Sequence, residues 1–166
     1  MKKIVDKGVD ATLALMLVAM TVAVFAQVFF RYVLRSPLSW PEETARMLIV
    51  WLSFLGGYMA LRERRHIGFS LFVKKLPRGG TFALEVIVLL FMLFFLAVVI
   101  REGTYFAQRS LNVRMPYTRI SVGWFVYSAF PVSGTLMFIQ TAMNLADTVK
   151  RFRAGDEIPV ETQEEG

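Results

Sequence analysis

Four stretches of this chain stay apolar for about the thickness of a bilayer: residues 11–30, 42–61, 82–100 and 120–146. At 1.5 Å per residue, about twenty helical residues cover the roughly 30 Å of hydrocarbon. No water reaches backbone amides in that layer, so such a run satisfies them internally, as a helix. Only 19% of the residues are charged, against about a quarter in soluble domains. The chain therefore reads as an all-α membrane protein with four transmembrane helices. Residues 1–150 form one domain, and the polar tail 151–166 is expected to be disordered.

The first run follows Lys2-Lys3, as a signal peptide would, but signal h-regions span only about 7–15 residues. It reads instead as an uncleaved helix. Gln27 is expected to face another helix, because an amide exposed to lipid lacks partners. Arg31 and Arg35 lie just past the end, where they reach headgroups.

Residues 31–66 carry most of the remaining information. Pro37-Leu38-Ser39-Trp40-Pro41 turns the chain, and Ser39 with Glu42 has the form of a capping box. Pro41 suits a first helical turn, and Glu42-Glu43 complement the positive end of the helix dipole. Arg46 is spaced to pair with Glu42 or Glu43. Gly56-Gly57 and Ala60 offer a small-residue face for close backbone approach.

Between 62 and 80, six cations (Arg62, Arg64, Arg65, Lys74, Lys75, Arg78) accompany Ile67, Phe69, Leu71, Phe72, Val73 and Leu76. That mixture suits a short helix lying in the headgroup layer between the second and third spans. Residues 101–119 read as a loop broken at Pro116. Pro131 should kink the fourth helix, with Ser133-Gly134 helping to reseal the freed backbone. Twelve Lys or Arg collect on the side of the N-terminus, the 62–78 loop and the C-terminus, against seven on the other. The positive-inside rule then puts both termini in the cytoplasm.

The chain lacks the residues that membrane chemistry needs. His66 stands alone, so bis-histidine haem ligation has no second ligand, and there is no cysteine. Glu43 and Glu85 lie near helix ends rather than at mid-membrane, where ion carriers place carboxylates. No phosphate loop, nucleophile–base pair or metal-ligand spacing occurs. An enzyme, a cofactor and a nucleic-acid partner are not expected; a binding, scaffolding or anchoring role is.

Arg31, then Trp40-Pro41-Glu42-Glu43-x-x-Arg46, Trp51-x-x-Phe54-Leu55-Gly56, Arg62-x-x-x-His66-Ile67 and the late Tyr127-x-x-x-Pro131-Val132 form a series. It resembles the small membrane subunit of tripartite ATP-independent periplasmic (TRAP) transporters over most of the chain. Ser70 departs from the pattern, standing about where that family carries an acid. The resemblance implies a bacterial inner-membrane protein without cofactor. Its partners would be a large multi-span subunit, which moves substrate and sodium by an elevator motion, and a periplasmic protein that captures an organic acid such as a sialic acid or a C4-dicarboxylate.

In that setting the small subunit braces the stationary part of the large one and binds neither sodium nor substrate. Arg31, Trp40, Glu43, Arg46, Trp51, Gly56 and His66 become candidates for contact with the partner subunit or for anchoring in lipid. Arg101, Arg109, Arg114 and Arg119 on the outer face would dock the binding protein or touch headgroups. Two alternatives stay open on residues alone: a self-sufficient homo-oligomeric small transporter or channel, and an anchor subunit of a redox enzyme.

Overall fold

The computed structural model describes residues 2–63 and 78–154, and among these every long element is helical. Helix α1 is Lys2–Tyr32, α2 Trp40–Arg62, α3 Arg78–Arg109 and α4 Ala129–Ala154, with a π-helical turn at Gly123–Tyr127 before α4. Three helices (α1, α2 and α3) are long and apolar enough to cross a membrane. The expected interfacial helix between the second and third spans, His66, and the end of the tail lie outside the described residues.

The helices alternate in direction. Tyr58 Oη donates to Asp6 Oδ1 at 2.7 Å, and Arg62 Nη1 lies 2.9 Å from Asp10 Oδ1, so the start of α1 adjoins the end of α2. The Thr148 hydroxyl donates to Glu85 at 2.8 Å and Phe82 stacks on Phe152, which pairs the start of α3 with the end of α4. At the opposite end, Gln27 Nε2 reaches Glu42 Oε2 at 3.5 Å, the helix-to-helix contact expected of that amide. Packing runs α1 on α2, α2 on α4, and α4 on α3.

That order explains why α4 is the least apolar of the four. It lies between two neighbours, and its Ser133, Gln140, Thr141, Asn144 and Thr148 are all buried. Gln140 donates to Asn144 at 2.9 Å, and Asn144 donates across to the Leu61 carbonyl at 3.2 Å, near the end of α2 where carbonyls run out of intrahelical donors. The flanking helices are the reverse. Phe25 on α1 and Phe91 on α3 are each 71% exposed, amid many other bare apolar side chains.

Several boundaries differ from the sequence reading. Helix α1 begins at Lys2, nine residues before 11, and α3 continues past Ile100 to Arg109. Hydropathy falls at Arg101, but backbone hydrogen bonding does not. Helix α4 likewise carries on through Arg151 and Arg153 to Ala154, so residues 151–154 of the tail are helical. Pro131 does not kink a continuous helix. It occupies the first turn of α4, where its missing N–H costs nothing, and the break lies upstream in the π turn. Resealing falls to Ser128, whose hydroxyl bonds the Trp124 carbonyl; the Ser133 hydroxyl is buried without a partner.

Gly123 is fixed by space rather than by torsion. Its amide donates to the Ser110 carbonyl at 3.1 Å, and a Cβ there would collide with the Ala107 carbonyl oxygen and the backbone of Ser110 and Leu111. Backbone cannot swing aside as a side chain can. Gly123→Ala should therefore destabilise the chain by at least about 3 kcal/mol, read as lost monodisperse protein or a lowered Tm in detergent. Gly56→Ala, whose Cβ would meet nothing within 4 Å, serves as the silent comparison.

Candidate functional site

Glu43 is the one carboxylate that α2 carries inward, at 8% exposure. Its oxygens accept the Thr118 amide at 2.6 Å and the Tyr117 amide at 3.4 Å, across more than seventy residues of sequence. Those amides lie in a tight reversal joining α3 to the π turn. Met115 donates to the Ile120 carbonyl, Val122 donates to Val113, and Arg119 takes a positive φ of 59°. Arg114 Nη1 steadies the same reversal by donating to the Arg119 carbonyl at 3.3 Å. Two amides pointing the same way at a chain reversal need an anion, and Glu43 supplies it.

Arg46 is therefore not the partner of Glu43. It pairs with Glu42 at 2.8 Å, both side chains well exposed, an arrangement that contributes little to stability. The expected capping box does not form either. Ser39 occupies the N-cap in a helical backbone conformation (φ −97°, ψ −24°) and makes no side-chain capping bond, and Glu42 is turned toward Arg46 and Gln27.

Trp51 is half-buried, and its indole N–H donates to the Phe125 carbonyl at 2.6 Å, so the ring clamps α2 to the π turn rather than floating at a membrane interface. Trp40 and Trp124 are exposed, as interfacial anchors are. Arg31 closes α1 and is exposed. Gly56 faces open space, and with Ser53 and Ala60 it leaves a small-residue strip uncovered on α2. The close approaches made within the chain use other glycines: Gly103 abuts Phe130 and Pro131, and Gly134 abuts Ile100.

Arg101, Arg109, Arg114 and Arg119 do not share one loop. Arg101 and Arg109 both belong to α3, eight residues and about 12 Å apart along its axis. Arg109 lies over the Tyr105 ring at 4.5 Å, and Arg101 adjoins Glu102 at 3.7 Å. Arg109, Arg114 and Arg119 remain near one another in sequence around the reversal; Arg101 stands apart, deeper along the helix.

Sequence reasoning missed the joint at the other end. Arg62, only 16% exposed in its side chain, reaches Asp10 and lies 3.9 Å from Asp6, which also accepts the Tyr58 hydroxyl. The signal was present: Asp6 and Asp10 are one turn apart, as are Tyr58 and Arg62. It was hidden because a helix taken to start at residue 11 leaves both acids outside.

Residues 20–151 match the family described as tripartite ATP-independent periplasmic transporters, DctQ component. The chain belongs to that family. A Haemophilus influenzae protein named as a TRAP transporter small permease is 30% identical over 145 residues, 87% of this chain and 89% of its own length. The sialic acid TRAP transporter small permease SiaQ of Vibrio cholerae is 26% identical over 90% of this chain and 86% of itself. A third relative, the sialic acid TRAP transporter permease SiaT of Haemophilus influenzae, is 31% identical over 69% of this chain, but that match spans only 18% of SiaT. The Glu43 clamp and the Trp51 clamp thus belong to a small TRAP permease subunit.

Glu43→Ala leaves two amides without an acceptor and should lower stability by about 1–3 kcal/mol. Glu43→Gln, which keeps one acceptor oxygen, should cost less. Thermal unfolding of the detergent-solubilised chain checks the order; equal Tm values for all three proteins would remove the clamp from the account.

Proposed function

We propose that this chain is the non-catalytic small subunit of a sodium-coupled, binding-protein-dependent secondary transporter for an organic acid. In this reading it spans the bacterial inner membrane four times with both termini in the cytoplasm, α4 with its π turn being the fourth span. It braces the stationary part of a large elevator-type permease and helps to dock the periplasmic binding protein. The observation that carries the reading is the division of its surface. Polar side chains are spent on joints between its own helices, whereas α1, α3 and the Gly56 strip of α2 present bare apolar faces. A frame needs such faces and no polar path of its own.

The length of SiaT supports the partner. There a segment similar to this chain is part of a much longer permease polypeptide, so a close association with further permease helices fits a subunit of this kind. Relatives named for sialic acid and for ectoine support a small charged solute without choosing one.

The Gly56 strip generates the test. Gly56→Phe starts from a Cβ that meets nothing within 4 Å in the isolated chain, and its ring blocks close helix approach. It should abolish co-purification with the large permease while the chain alone still elutes as one species; undiminished co-purification would place the partner elsewhere. Docking is tested separately. Arg109→Glu or Arg114→Glu should slow uptake at low salt several-fold and flatten its salt dependence, in a reconstituted system with the binding protein; an unchanged salt profile would assign these arginines to headgroups.

A further inference from the structure

The connection between α1 and α2 leaves a small recess of about 110 Å³ lined by Gln27, Arg31, Pro37, Leu38, Ser39 and Glu42. We propose that it holds the phosphoethanolamine headgroup of a membrane lipid. Its lining is mainly polar, yet it opens among exposed apolar side chains, Phe29, Val33, Leu34 and Trp40, of the kind found where hydrocarbon meets headgroups. Among the described residues Arg31 makes no hydrogen bond or ion pair, whereas Arg46, Arg62, Arg101, Arg109 and Arg114 each have a neighbouring acid, ring or carbonyl.

The charges are arranged for a zwitterion. Arg31 supplies the fork of donors that suits a phosphate, and Ser39, whose hydroxyl makes no capping bond, belongs to the same lining. Glu42 supplies the lining's negative charge. It already accepts Arg46 through Oε1, while its Oε2 has only the long 3.5 Å contact with Gln27 and retains room for an ammonium donor. A primary ammonium donates hydrogen bonds to Glu42; the methylated ammonium of choline has none to give. The acyl chains of the same lipid would run down the bare face of α1 past Phe25 and Phe29.

This inference requires only that the chain be embedded in a membrane, so it stands or falls separately from partner docking. The full chain, purified with whatever large permease subunit it retains, is titrated with phosphatidylethanolamine, phosphatidylcholine or phosphatidylglycerol and the bound lipid is counted by native mass spectrometry. Phosphatidylethanolamine should be retained best. Arg31→Ala should lower that retention about tenfold, Glu42→Gln should level ethanolamine with choline, and Arg153→Ala, at the other end of the bundle, should change nothing. Arg31→Lys, which keeps the charge, should retain the lipid within a few-fold and covers the case in which Arg31→Ala does not fold. Equal retention of the three lipids by the wild type, undiminished retention by Arg31→Ala, or displacement of the lipid by inorganic phosphate would each overturn the assignment. In all of these the yield of the complex reports independently on partner docking.

Discussion

A chain surrounded by hydrocarbon must turn its polar groups inward, and that inversion governs everything else in this protein. In water, apolar side chains collapse and polar ones cover them; in lipid the tails are as apolar as leucine, so association needs close packing and internal hydrogen bonds. Helix α4 is built for this. Asn144 reaches the Leu61 carbonyl, Thr148 reaches Glu85, and Gly134 lets Ile100 come close. Hydroxyls without a partner helix fold back on their own: Thr12 bonds the Gly8 carbonyl and Thr21 the Leu17 carbonyl, each one turn earlier.

Among the described residues, the charged joints between helices lie at the two ends. At one, Arg62 gathers Asp6 and Asp10 and joins α2 to the start of α1, which among the described residues packs mainly against α2. At the other, Glu43 holds the reversal at Tyr117-Thr118, and Trp51 donates to the Phe125 carbonyl within the π turn. A π turn costs backbone order, and it persists where surrounding groups satisfy what it frees. These joints fix α1, α3 and the π turn to a common core while leaving broad outer faces bare. Such a body is joined at its two ends and leaves apolar faces bare, which is what the proposed frame role requires.

The existence of the helices was legible because the bilayer demands a minimum apolar length, and the runs at 11–30, 42–61 and 82–100 met it. Helix ends were not. The chain remains helical beyond the hydrocarbon on both sides of α1 and at the end of α3, and hydropathy is blind to that continuation. The same blindness concealed Asp6 and Asp10. Glu43 was singled out and Arg46 was spaced to pair with either Glu42 or Glu43; in the structure Arg46 takes Glu42, while Glu43 accepts two amides far along the chain.

Sequence by itself determined that this is a helical membrane protein of the small TRAP permease kind, since apolar run length and the Trp40–Glu43–Arg46–Trp51–Gly56 series are local properties. Only the tertiary structure decided which helix is central, which glycines are filled and which stays open, and whom Glu43 serves. Those outcomes depend on which backbone donors lack acceptors after the helices have packed, and no local pattern records that.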